Sequence, residues 1–166
     1  GWTSAGRRGK GLVVNTSTYV RVVNSPSISF TNLTPFTVEA WVRAFDDASR
    51  VNPVSDSSSE GGWSLLAHEG DFDWQFRISW NAGTNIVTAR SAKNLSRLKR
   101  WQHVAGVFDP AAKELHLYVD GNKTTQTYTG FILPLGNSLF IPDSSGGVNG
   151  SIDEVKIWSR ALDAQE

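Results

Sequence analysis

The sequence predicts an all-β fold, a single domain of two antiparallel sheets packed as a sandwich. Three observations predict it. Apolar and polar residues alternate with a period of two in about eleven short runs. Gly, Asn, Asp and Ser cluster between those runs. No stretch longer than about eight residues carries a helical period. Many short strands, each with a face to bury, and regular turns between them give a two-sheet sandwich.

Taken in order, residues 19–23 and 36–45 alternate first. Residues 46–62 break the rhythm, with five Ser, four acidic residues and one Pro, and read as a long polar loop at one end of the sandwich. Residues 74–80 alternate again, and Asn81-Ala82-Gly83 closes them with a turn. A further strand follows Trp101, and Asp109-Pro110-Ala111 turns it into the run 114–119. Asp120-Gly121-Asn122 reads as a tight hairpin turn. Residues 152–158 form the last strand, and residues 161–166 are the best helical candidate, about one turn. Trp41, Phe76, Val107, Leu117, Val119 and Ile157 are the expected core.

Composition narrows the function. The chain has 166 residues, 16 Lys+Arg against 16 Asp+Glu, no Cys, no Met and 7 Trp. One domain of this length buries roughly two thirds of its unfolded surface without a disulfide. Zero Cys excludes thiol catalysis, Cys-type zinc sites and iron–sulfur clusters. A formal net charge of zero argues against duplex nucleic acid as partner. Apolar runs such as 131–133 are too short for membrane insertion by a helix. No charged-then-apolar segment opens the chain, so no signal peptide is expected within it. With no Met even as initiator, the chain is expected to be a piece of a longer protein or a processed one.

Particular strings carry more. Gly9-Lys10-Gly11-Leu12 precedes Tyr19-Val20, followed by Phe36-Thr37-Val38-Glu39-Ala40-Trp41-Val42. Then come Trp101-Gln102-His103-Val104-Ala105-Gly106-Val107-Phe108-Asp109 and Leu117-Tyr118-Val119-Asp120-Gly121. Gly150-Ser151-Ile152-Asp153-Glu154-Val155-Lys156-Ile157-Trp158-Ser159-Arg160-Ala161-Leu162 closes the chain. In this order the strings resemble the laminin-G-like, concanavalin A-like lectin/glucanase jelly-roll superfamily, from about residue 9 onward. The resemblance implies a curved jelly roll, an extracellular setting beside other domains of the same polypeptide, and binding of sugar or protein, often with calcium. It also implies that Trp41 and Trp101 are buried strand residues. Such domains commonly begin with a further strand before the Gly9 string, where this chain has eight residues. Either that first strand has been trimmed from the chain, or the domain starts differently.

Candidate chemistry lies in three places. In an extended strand Glu69, Asp71 and Asp73 would share one face, suited to calcium or to an acid/base pair, although Gly70 favours a turn. Glycoside hydrolase family 16, of the same superfamily, uses a Glu-x-Asp-x-x-Glu strand, and here Asp73 comes one residue early and is the wrong type. No Gly-x-Ser-x-Gly elbow, His-Glu-x-x-His pair or phosphate loop is present, and His103 reads as a packed strand residue. Tryptophan is the better lead, because an exposed ring stacks on the C–H face of a sugar while amides and carboxylates bond its hydroxyls. Trp80, Trp74 and Trp63 lie at strand ends, with Arg77, Asn81, Glu69 and Asp71 as polar neighbours. Trp74 and Trp80 share one strand face and Arg77 the other, so only one group points to solvent. Lys93, Arg97, Lys99 and Arg100 form a basic cluster suited to an anionic polysaccharide, with a solvated loop as the alternative, and Arg7, Arg8 and Lys10 are similarly ambiguous.

Calcium needs a cage of hard oxygens, for which Asp153, Asp143 and Asp73 are the candidates. Five Asn-x-Ser/Thr sequons, at Asn15, Asn32, Asn94, Asn122 and Asn149, fit a secreted protein and equally fit chance. The expected function is a non-catalytic carbohydrate-binding module of a secreted protein, holding an attached enzyme or adhesin on polysaccharide or glycan. A protein-interaction or spacer domain is the main alternative, and a glycosidase or lyase the third.

Overall fold

A computed structural model of the chain describes residues 1–15, 17–23, 25–30, 33–45, 51–58, 61–67, 73–93, 98–129, 138–143 and 149–166. Its strands are β1 (Trp2–Thr3), β2 (Gly11–Val14), β3 (Val20–Val23), β4 (Phe36–Ala44), β5 (Val51–Ser58), β6 (Gly61–Ala67) and β7 (Trp74–Trp80). They continue with β8 (Asn85–Arg90), β9 (Gln102–Asp109), β10 (Glu114–Val119), β11 (Asn122–Thr127), β12 (Ser138–Ile141) and β13 (Gly150–Trp158). The first sheet runs β1-β2-β13-β4-β9-β10-β11, and the second β3-β12-β5-β6-β7-β8. Each pairing is antiparallel. The expected two-sheet antiparallel jelly roll is therefore the observed fold. Among the described residues no helix is long and apolar enough to cross a membrane.

Parity of the side chains builds the core. On β4, Phe36, Val38, Ala40, Val42 and Ala44 point inward and are buried, while Glu39, Trp41 and Arg43 face out and are half-buried. They meet Trp63 and Leu65 of β6, with Trp74, Phe76 and Ile78 of β7. Phe36 sits at the centre, stacked on Phe30 at 4.5 Å and tilted against Trp63 and Phe108 at 5.4 and 5.6 Å. Facing Phe76, β9 carries Gly106, where any Cβ would lie within 2.8 Å of three atoms of the phenyl ring.

The turns follow their chemistry. Asp120 and Gly121 join β10 to β11 with φ of 48° and 83°, the left-handed pair that a two-residue hairpin needs. Asp109 Oδ1 accepts the Ala111 and Ala112 N–H groups at 3.0 and 3.1 Å and shapes the β9–β10 turn.

Four expectations change. Within 46–62, expected as one long polar loop, residues 51–58 form β5 and residues 61–62 open β6, both in the middle of the second sheet, and the rest lies outside the described residues. Its Ser and Asp residues hid a strand whose second face is polar, and Pro53 is tolerated at a register shift between Val51 and Val54. Strand β3 is exposed along its whole length, as the edge of its sheet. The tail 161–166 is a non-helical turn, pinned by Arg160 donating to Glu166 at 2.8 and 2.6 Å. Of the expected core, Phe76, Leu117 and Val119 are central, Ile157 packs at the margin, and Val107 belongs to a small cluster with Ala105 and Tyr118. Trp41 lies outside the core, on the outer face of the first sheet.

Candidate functional site

The outer face of the second sheet is unlike a solvated β surface. One register row crosses all six strands as Arg21, Phe140, Ser55, Ser64, Arg77 and Thr88. The next rows place Gln75 beside Leu66 and Arg90, and Ser79 beside Gly62 and Ile86. In the first of these rows β5 and β6 contribute serines, and their neighbours β12 and β7 contribute Phe140 and Arg77. Small residues between large ones make a trough at half-buried Ser64, between Phe140 with Arg21 on one side and Arg77 on the other. Its polar groups are deep: Ser55 and Gln75 are 0% exposed, although both face away from the apolar core.

Buried polar groups persist only when bonded. Asp73, fully buried before β7, takes Arg90 Nε at 3.1 Å and Gln75 Nε2 at 3.3 Å. Gln75 Oε1 then accepts Arg77 Nη2 at 3.0 Å. Ser55 Oγ donates to Asp143 Oδ2 at 2.5 Å. On the other wall Arg21 donates to Ser138 Oγ at 3.1 and 3.2 Å and lies 5.9 Å from the Phe140 ring, against which Tyr19 packs edge-on. The guanidiniums of Arg21 and Arg77 and the Ser64 hydroxyl, fixed by this buried network beside the Phe140 ring, can bond a polyhydroxylated ligand with little reorganisation.

Parity decides between the two groups of β7. Trp74, Phe76 and Ile78 point into the core, so Arg77 and Gln75 take the outer face. Trp63 and Trp74 are each 2% exposed. That corrects the expectation of stacking platforms, because neither ring can reach a sugar. Trp74 instead donates Nε1 to Gln102 Oε1 at 3.2 Å, and Gln102 bonds Asp120 at 3.2 Å, tying β7 to the β10–β11 hairpin. Trp80 is half-buried on the same side, against the core margin. Asn81 is exposed in the turn after β7, with φ of 56°. Glu69 and Asp71 lie outside the described residues. Ser55, Ser64, Gln75 and Phe140 escaped the sequence reading. The signal for Gln75 was there, since it shares parity with Arg77.

The three aspartates offered for calcium do not form a cage. Asp73 is held by Arg90 and Gln75, and Asp143 by Ser55. Asp153 accepts the N–H groups of Arg8 and Glu154, each at 2.9 Å, and so anchors the N-terminal loop to β13. Among the described residues no three His, Asp or Glu side chains come together.

The first sheet has its own polar cluster outside. Glu39 accepts from Trp158 Nε1 at 3.2 Å, lies 2.8 Å from His103 Nε2 and pairs with Lys156 at 3.7 Å. The His103 hydrogen bond holds the Glu39 carboxyl below its ordinary 4.5, against the opposing effect of burial. Burial, and then Lys123, hold His116 below its ordinary 6.5. Both folded-state values are depressed, so the unfolded chain binds more protons and stability falls with acidification. The loss begins below 6.5 through His116 and grows below 4.5 through Glu39. Melting curves across this range should show both limbs. His116→Gln should flatten the upper limb and Glu39→Gln the lower, and unchanged profiles would sink the assignment.

A model of the concanavalin A-like lectin/glucanases superfamily matches residues 15–166. Paraclostridial mosquitocidal protein 1 of Paraclostridium bifermentans is 22% identical over 169 residues, 92% of this chain but 13% of that protein. The crystal structure of that protein's binding domain superposes with a TM-score of 0.78 at 18% identity, over 99% of this chain and 43% of the other. Domain 4 of AbnA, a GH43 extracellular arabinanase from Geobacillus stearothermophilus solved with arabinotriose, gives 0.77 at 18% identity, over 99% and 77%.

Proposed function

We propose, for a chain that belongs to the concanavalin A-like lectin/glucanases superfamily, that it is a non-catalytic module that binds a glycan in the trough on its second sheet. One observation carries the reading: exposed Arg21 and half-buried Phe140, Ser64 and Arg77 stand in one row across the outer face of the second sheet, held from below by the buried polar groups Ser55, Gln75, Asp73 and Asp143. Each buried group costs about 1–3 kcal/mol if its bonds fail, and with the bonds made the network holds the row above it in one geometry. Two similar structures support it. One is the binding domain of a mosquitocidal protein, and the other was solved in complex with arabinotriose. Both are parts of longer chains, in keeping with a module that holds a partner domain on polysaccharide outside the cell. A tethered site of this kind needs only about 4–7 kcal/mol of binding, because tethering supplies effective concentration.

A glycan screen followed by calorimetry tests the proposal. Arg77→Ala should weaken binding of a hit about tenfold or more, since it removes a fixed wall donor. Trp80→Ala should leave the affinity within about threefold and cost about 1–2 kcal/mol of stability. The reverse pattern would return the site to the tryptophans. No binding of neutral, acidic or sialylated glycans at millimolar concentration would end the carbohydrate reading in favour of a protein partner.

A further inference from the structure

The chain is neutral in sum, but its charge is not evenly spread. Among the described residues several cations have partners: Arg90 with Asp73, Lys156 with Glu39 and Glu154, and Arg160 with Glu166. Among the described residues, Arg7, Arg8, Arg43, Lys99 and Arg100 form no ion pair. Four of them, Arg7, Arg43, Lys99 and Arg100, come from three distant stretches of sequence and lie at one end of the first sheet's outer face. Arg43 is the outward residue next to the end of β4, two positions from Trp41. The Arg7 guanidinium lies 4.4 Å from the Trp41 ring centre. The Arg43 guanidinium lies 5.0 Å from Trp101 and 5.3 Å from Phe45, with its buried Nε unbonded. Lys99 N donates to Ala44 O at 2.7 Å, which brings exposed Lys99 and Arg100 beside the same strand end.

We infer that this end of the first sheet is a second binding site, for a sulfated or carboxylated polysaccharide. A guanidinium stacked on a ring is held in place, and its free N–H edge is presented for bidentate bonding to an oxyanion. The two guanidiniums rest on different rings, Trp41 for Arg7 and Trp101 for Arg43, and so suit anionic groups repeated along a chain better than one small ion. Trp41, Phe45 and Trp101 are half-buried and back the guanidiniums, so none projects as a ring for insertion between lipids. The trough lies on the other sheet, so the two sites can be occupied independently.

The test uses the whole chain with dextran sulfate, unmodified dextran and phosphatidylserine vesicles as probes, followed by tryptophan fluorescence and salt elution. The wild type should bind dextran sulfate and not dextran, and elute as salt rises. Arg7→Gln/Lys99→Gln/Arg100→Gln changes only exposed side chains and should weaken binding at least about tenfold. Lys113→Gln/Lys123→Gln removes two cations elsewhere and should leave affinity within about twofold. Arg43→Lys keeps the charge but loses the planar fork, and should weaken binding several-fold. No binding by the wild type at low salt, or an unchanged triple variant, overturns the site. Vesicle binding as tight as dextran sulfate binding, lost in the same triple variant, overturns the polysaccharide as its occupant.

Discussion

Gly106→Val should cost about 3 kcal/mol, a large part of the stability of a domain this size. Gly106 is paired on both sides, with Val38 of β4 and Leu117 of β10, so its backbone cannot retreat. Its missing side chain is the space that the Phe76 ring occupies from the opposite sheet. A valine there forces either ring or strand to move, and both are locked in a close-packed core. Phe76→Leu on its own should also destabilise, by leaving a cavity. Combined with Gly106→Ala it should cost less than the two single changes summed, with coupling of about 1 kcal/mol or more. Denaturant melts of the four proteins measure this. A Gly106→Val protein that melts within about 2 °C of the wild type would show that the sheets do not meet here as described.

Gly106 also marks how far the sequence could be read. The inward residues of β4, β7 and β10 alternate so regularly that fold class and most of the core were visible, and Asp120-Gly121 announced its hairpin. The closing motifs resembled a known superfamily and led to the right architecture. What failed has one cause. Period two tells which residues share a face, but not which face meets the other sheet. Trp63 and Trp74 looked like strand-end platforms because tryptophan suits both a core and a sugar site. Only the pairing of β6 with β7 sends both rings inward and Arg77 outward. Strand β5 was unreadable for a related reason. Its Ser55 is buried on the polar face, so the strand has no apolar alternation to show. The trough is composed across five other strands besides, and rows such as Phe140, Ser55 and Ser64 exist only once the register is set.

Ser64→Trp should abolish glycan binding while the fold survives. Ser64 is the middle of the row, between Ser55 and Arg77, and its side chain points off the core. An indole there would fill the trough between the Phe140 and Arg77 walls without displacing any core group. The affinity should fall at least about a hundredfold, or about 2.7 kcal/mol. Stability should change by less than about 1 kcal/mol, as for substitutions outside the core. Ser64→Ala removes one hydroxyl without filling space, so its effect should be no more than about tenfold. The contrast separates blocking from the loss of one hydrogen bond. The new indole also reports on its own surroundings, since its emission should differ from that of the buried Trp63 and Trp74. If a glycan that binds the wild type still binds Ser64→Trp within about threefold, the trough is not where the sugar sits. The buried polar row would then need an explanation in folding alone.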